Sequence, residues 1–185
     1  PCLISVSEAV PGFRQQVFLT SLSYELTFGG QGILGADAIC TQEARAPAKA
    51  LLVDESGCNG QPCRRATVTP NADDEQIDWP LMPNTNSYNL EGEQVGTTNG
   101  GGLFNFPLLK PIGVCTNQAS GLNRDFTTKS GETCNNWPLG SEYRQQGIGG
   151  ACSTGDGLGI GGAAEPWGST KCRCATVKPG WEEAL

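Results

Sequence analysis

The chain has 185 residues, 37% of them hydrophobic, with 26 glycines, 12 prolines and a formal net charge of −7. That length suggests one domain with room for a real core, and the glycine and proline content predicts a loop-rich fold with short strands and few helices. The negative charge argues against nucleic acid and heparin-like polyanions as partners, and no stretch of about 18 apolar residues is present to span a membrane.

Nine cysteines beside one methionine and no histidine point to disulfides and an extracellular or periplasmic setting. Zinc is disfavoured, because Cys-x-x-Cys pairs are absent and histidine is lacking. An odd count leaves at least one thiol free or joined to another chain, and Cys2, near a terminus, is the candidate. The sequence opens on Pro1 rather than Met, as expected where a signal peptide has been removed or a boundary chosen. An acylated lipoprotein cysteine at Cys2 is the other reading, although Pro1 precedes it.

In chain order, Gln16-Val17-Phe18-Leu19-Thr20 reads as a first strand. A glycine-rich loop over 27–32 leads into a helix whose apolar face is Ile33, Ala36, Cys40 and Ala44, at three- and four-residue steps. Asp37, Thr41 and Glu43 fall off that face, and Pro47 stops any continuation. The small residues let this helix lie close to a sheet, with Cys40 pointing inward as its anchor. Ala48–Val53 is an apolar run of strand length. Cys58-Asn59-Gly60-Gln61-Pro62-Cys63 carries turn residues that bring its two thiols together, so a local disulfide is expected.

Residues 70–78 form the acidic part of the chain, and Trp79-Pro80-Leu81-Met82-Pro83 reads as an extended, packed segment. Ser87–Leu90 and Glu93–Val95 flank Glu91-Gly92 as a tight hairpin. Asn99-Gly100-Gly101-Gly102 is a turn, and Leu103–Leu108 alternates as a strand that Pro107 ends. Residues 116–171 are mostly loop, with Trp137 and Trp167 as large apolar anchors. Cys172-Arg173-Cys174-Ala175-Thr176-Val177 is a final strand. Cross-links offset the entropy of so much irregular chain, by roughly 2–4 kcal/mol each.

The absence of histidine removes Ser-His-Asp and Cys-His catalysis, haem ligation through histidine and the usual catalytic zinc sites. A carboxylate pair among Asp73, Asp74, Glu75 and Asp78 remains conceivable for glycoside hydrolysis, but four acids in a polar loop read more simply as a solvated surface. Calcium needs several oxygen ligands. Asp73, Asp74, Asp78 and Asn84 in one loop region, and Asn123 with Asp125 in another, supply candidates. The plainer reading is that Asn123 and Asp125 cap turns through the backbone. Trp79, Trp137 and Trp167 read as core packing. Trp181, in the polar tail Pro179–Glu183, reads as a contact residue. The glycines over 155–162 are a loop rather than a phosphate cradle, since no helix pattern or placed lysine follows them.

The helix with its inward cysteine, the apolar strand after it and the C-terminal cysteine strand resemble the C-type-lectin-like fold, and within it the endostatin-like branch. The chain is also similar to a bacterial family of secreted or surface proteins. Its representatives are the leptospiral endostatin-like (Len-type) proteins and their domain-of-unknown-function relatives, DUF1554. The stretches that carry this are Gly35-Ala36-Asp37…Cys40, Lys49–Leu52, Cys58…Cys63, Ile77–Leu81 with Pro83–Thr85, and Gly96–Asn99 with Phe104 and Phe106–Leu108. Gly121–Asn123 with Asp125–Thr128, Cys134…Trp137 and the Cys174 strand complete them. Together they run over residues 17–177.

The resemblance implies an α+β fold, C-type-lectin-like and endostatin-like, with one main helix packed on short antiparallel strands, a long loop region and several disulfides. The whole chain, residues 1–185, would be one such domain with its core at about 16–178. Cys40 would pair with Cys174, Cys58 with Cys63, and Cys134 with Cys172 or Cys152, while Cys2, Cys115 and whichever of Cys172 and Cys152 is left over are additional to the family pattern. Sugar-binding C-type lectins use a Glu-Pro-Asn or Gln-Pro-Asp triplet and a Trp-Asn-Asp strand motif. Here Gln61-Pro62-Cys63 and Glu165-Pro166-Trp167 each lack the third ligand, and Cys134-Asn135-Asn136-Trp137 is not the strand motif.

The expected function is non-enzymatic binding or adhesion to an extracellular protein or glycan, at the bacterial cell surface, outer membrane or outside the cell, with no cofactor. Asp78, Asn84, Asn123, Asp125 and Trp181 are the candidate contact residues. Two alternatives stand beside it: a self-assembling structural subunit of a surface filament or sheath, and a calcium-dependent lectin using Asp73, Asp74 and Asp78.

Overall fold

A computed structural model of the chain describes residues 14–22, 24, 28–54, 64–72, 74–113, 118–123 and 125–128, and the strand backbones at 148–149, 162–163 and 171–176. The elements run β1 (Gln15–Leu19), α1 (Gly32–Ala44), β2 (Ala48–Ala50), β3 (Asn86–Tyr88), β4 (Gln94–Thr97), β5 (Gln118–Ala119), β6 (Ile148–Gly149), β7 (Gly162–Ala163) and β8 (Lys171–Thr176). A 3₁₀ turn at Phe28–Gly30 precedes α1.

The main sheet has the order β2-β8-β1-β3-β4, with β5 joining β8 at its other end, and β6 pairs with β7 separately. The last strand of the sequence thus lies between the first and second. Its register sets Val17 opposite Ala175 and Phe18 opposite Cys174 on one side, and Ala50 opposite Cys174 on the other. The sheet is mixed rather than antiparallel as the sequence predicts: β1 runs parallel to β3, and β5 parallel to β8. Parallel neighbours need a long crossover. The β1–β3 connection supplies one, because α1, β2 and the segment to residue 85 all lie within it.

Strand alternation sorts side chains between the two faces of the sheet. Phe18, Ala48, Ala50 and Leu52 join Phe28, Ile33, Ala36 and Cys40 in the core beneath α1. Val17, Leu51 and Val53 join Trp79, Leu81, Val95, Leu103, Phe104, Leu108, Leu122 and Phe126 in the core on the other face. Large side chains such as these each stabilise by roughly 1.5–3 kcal/mol on full burial. Trp79 meets Phe126 edge-on at 6.4 Å, Phe106 stacks on Phe126 at 5.8 Å, and the Trp79 indole N–H donates to the Gly102 carbonyl at 3.0 Å. Trp79 is therefore a core residue, as its setting in the sequence predicts.

The helix lies as close to its neighbours as its small residues suggest. A Cβ on Gly35 would fall 2.1 Å from the Phe28 carbonyl oxygen, so only glycine fits there. Cys40 is fully buried and in a disulfide. Cys2, Cys58, Cys63, Cys115, Cys134 and Cys152 lie outside the described residues, and Cys172 and Cys174 are placed by the backbone of β8.

Two expected strands are shorter than the sequence suggests. The run Ala48–Val53 is ladder only to Ala50; beyond it the Val53 N–H donates to Ser120 O and the Asp54 N–H to Arg64 O. Leu103–Leu108 contributes a single bridge, Phe104 to Thr98. Leu103, Phe104 and Leu108 all enter one core, which strict alternation along a strand forbids, and Pro107 has no N–H for a ladder. The β3–β4 hairpin forms as expected, closed by Asn89 N–H to Glu93 O and Gly92 N–H to Asn89 O, with Gly92 at φ +79°. Among the described residues, no helix is long and apolar enough to cross a membrane.

Candidate functional site

Two places concentrate the polar chemistry of the described residues: an ionic cluster between α1 and β2, and an open cleft at the end of the sheet.

Arg64 is the centre of the first. Its side chain is 1% exposed. Its two terminal nitrogens clasp Asp37 Oδ1 and Oδ2 at 2.8 and 2.7 Å, one of them also donates to Ala50 O at 2.9 Å and the other to Asp78 Oδ2. Its Nε donates to the Asp78 carbonyl at 2.8 Å and to Asp78 Oδ2 at 3.1 Å. Every N–H of the guanidinium has a partner, which is the condition for burying that charge. Lys49 Nζ pairs with the other Asp78 oxygen. Burial alone would push the Arg64 pKa down, but the carboxylates of Asp37 and Asp78 reverse this and hold it above its ordinary value.

The same residues close the free edge of β2. Asp37 Oδ1 accepts the Ala50 N–H at 2.8 Å, and the Thr41 hydroxyl donates to Ala48 O at 2.9 Å and accepts the Ala48 N–H at 3.3 Å. Next to the cluster, Asp54 accepts the Arg64 backbone N–H at 2.5 Å. Burial raises its pKa despite that bond and the charge of Arg64. The arrangement is an internal clasp: two cations and two carboxylates that satisfy one another and the backbone.

Most acids singled out by the sequence have comparable structural duties. Asp78, expected as a solvated ligand, is held by Arg64 and Lys49, with its backbone at φ +47° so that carbonyl and carboxylate both face Arg64. Asp74 accepts from the Thr67 hydroxyl and from the Val68 and Thr69 N–H groups at 3.2 Å, and these bonds hold its pKa well below the usual carboxylate range. Asp125 accepts the Thr127 N–H at 3.1 Å and its hydroxyl at 2.6 Å, which is the turn-capping role, and Asn123 donates from Nδ2 to the Thr127 hydroxyl at 2.9 Å. Asn84 is exposed at φ +50°, its N–H donating to Asn99 O. Asp73 and Trp181 lie outside the described residues, as do Trp137 and Trp167. Among the described residues, no group of three or more His, Cys, Asp or Glu side chains is placed to hold a metal ion.

The cleft sits where β1, the C-terminal end of α1, the β3–β4 turn and the segment at 112–113 meet. It encloses about 270 Å³. Leu19, Leu90 and Ile112 supply apolar wall, and Glu43 and Glu91 supply carboxylates. Leu90 is 61% exposed. Glu43 accepts the Ser21 N–H at 2.6 Å and the Tyr24 hydroxyl at 2.9 Å. Burial works to raise its pKa, but these bonds outweigh it and the carboxyl lies below its ordinary value. It remains ionised at neutral pH. The last turn of α1 has no basic residue, and Arg45 ends the helix in left-handed backbone at φ +53°.

Sequence reasoning did not find Arg64, Lys49 or the cleft. One signal was present: Asp37 and Thr41 are four and eight residues after Ile33, so they flank the buried stripe instead of opposing it. Arg64 and the cleft had none, because they depend on how distant segments meet.

No curated protein matches the chain. Residues 22–154 match the family model described as a protein of unknown function, DUF1554. That span is well over half of the 185 residues, and the chain belongs to the DUF1554 family.

Proposed function

We propose that the protein is a non-enzymatic extracellular binding module, displayed at or released from a bacterial surface, that recognises a protein or glycan partner. The observation that carries this reading is the cleft beside the end of α1: an open concavity of about 270 Å³ with apolar wall, ionised carboxylate and an aliphatic side chain left 61% exposed at its rim. The acids of the ionic cluster and of the turns support it from the other direction. Asp37, Asp74, Asp78 and Asp125 serve hydrogen bonds internal to the fold, which leaves them poorly placed for acid–base chemistry on a substrate. The nine cysteines and the disulfide at Cys40 agree with an oxidising compartment.

We further propose that the architecture is C-type-lectin-like in its endostatin-like form and that Cys174 is the partner of Cys40. The inward helix cysteine and the central place of β8 beside β1 and β2 support this. The test is binding of the purified chain to a panel of extracellular matrix proteins and to a glycan array, with and without chelator. Saturable binding to a panel member, unchanged by chelator, is expected. Absence of saturable binding across both panels would contradict the reading, and binding abolished by chelator would replace it with a calcium-dependent lectin.

A further inference from the structure

Building on the reading of a binding module, we propose that the cleft beside the end of α1 receives an extended segment of a protein partner, in which an aliphatic side chain is flanked by a lysine or arginine. Three features of the cleft select that chemistry. The first is charge. Among the described residues, two carboxylates, Glu43 and Glu91, line it and no lysine or arginine does. The carbonyl end of α1 adds partial negative charge at the same place. Glu43 is held ionised by Ser21 and Tyr24, so its charge is fixed in position, and a whole-chain charge of −7 steers cationic partners in the same sense.

The second feature is shape. A volume of about 270 Å³ is at or below the small end of cofactor and drug-sized sites and suits one or two side chains. Leu19, Leu90 and Ile112 offer apolar surface beside the carboxylates. A lysine or arginine can lay its methylene stem along such surface while its head reaches an acid. The third feature separates peptide from sugar. Sugars are commonly gripped by stacking on an exposed aromatic face; among the described lining residues the aromatic one, Phe18, is 2% exposed with its ring in the core beneath α1, and Tyr24 beside them is half-buried with its hydroxyl given to Glu43.

The test is selection of phage-displayed peptides on the full wild-type chain, followed by affinity measurement against the double variant Leu90→Ser, Glu91→Lys. Both positions are exposed residues of the β3–β4 turn, and a thermal melt checks that the variant is folded. Enriched peptides are expected to share an aliphatic residue adjacent to Lys or Arg, to bind the variant about tenfold or more weakly, and to lose affinity as salt is raised. Peptides that bind the variant as well as the wild type would overturn the cleft as the site while leaving the binding-module reading intact. Failure to enrich any peptide would also overturn it; if the glycan array is then positive the wider reading survives, and if it too is negative both fall.

Discussion

Replacing Arg64 with alanine leaves the carboxylates of Asp37 and Asp78 facing one another in a site from which water is largely excluded. Removing one partner of a buried, fully bonded ion pair costs about 3–5 kcal/mol, so Arg64→Ala is expected to lower the free energy of unfolding by that amount or to prevent folding. Lys49→Ala removes only the outer pair to Asp78, whose side chain is 26% exposed, and is expected to cost about 1 kcal/mol or less. Equal losses in the two variants, read from chemical unfolding, would show that Arg64 is not the centre of the clasp. Glu43 makes a separate, pH-dependent contribution. Its folded pKa lies below the ordinary 4.5, so its stabilisation is complete above that value and is lost as pH falls through the folded pKa. Glu43→Gln is therefore expected to flatten the stability profile below about pH 4.5; an unchanged acid slope would deny the bonds to Ser21 and Tyr24. At this scale the sequence was legible where a residue acts locally. Asp125 reads as a turn cap and is one, accepting the Thr127 N–H, while the Asn123 side chain reaches the Thr127 hydroxyl instead of the backbone. Arg64 was illegible because its partners are 14 and 27 residues away, and nothing in the residues around it announces burial.

The helix was the most legible element, since Ile33, Ala36 and Cys40 are buried in the register that their spacing gives. Its closeness to the Phe28 turn makes Gly35 a sharp test. In a free helix, Gly→Ala stabilises by about 1 kcal/mol. Here the added Cβ would meet the Phe28 carbonyl oxygen at 2.1 Å, and Gly35→Ala is expected to destabilise by about 1–3 kcal/mol. A stabilised variant would mean that the 3₁₀ turn is not packed on the helix. The edge of β2 gives a second test. Thr41→Val keeps the shape of the side chain but leaves the Ala48 N–H and C=O without their partner. A loss of about 1–3 kcal/mol is expected, with faster amide exchange at Ala48. Protecting an edge in this way prevents further strand pairing, which is a physical reason for polar residues flanking the apolar stripe of α1. The direction of the strands was not legible. Whether β1 runs parallel or antiparallel to β3 is decided by the path of some 66 intervening residues, not by the pattern within either strand.

For the whole molecule, the carboxylates set the response to acid. Glu43, Asp74 and Glu93 have folded pKa values below their ordinary ones, through hydrogen bonds from Ser21 and Tyr24, from Thr67 and Thr69, and from Asn89 with Lys110. Each contributes stability that is present above the unfolded value and lost as pH falls through the folded one. Asp54 has the opposite sign. Burial raises its pKa above 3.8, so its charge costs stability as pH rises through the raised value. Among the described residues, three depressed acids against one raised acid favour a net loss of stability below about pH 4.5, measurable as a falling melting temperature between pH 5 and 3. A melting temperature that rises over that interval would make Asp54 the dominant group.

The hairpin, the helix and the last strand could be read from local pattern, and the α+β class came with the family resemblance, while the cleft could not be read, because it is assembled from four separate segments. Chemical-shift mapping of the labelled chain with a bound partner tests its role most directly. The expected perturbations centre on Leu19, Leu90, Glu91 and Ile112. Shifts confined to the turns at Asn84 or at Asn123 and Asp125, with the cleft signals unmoved, would place recognition on the surface that the sequence first suggested and contradict the assignment to the cleft.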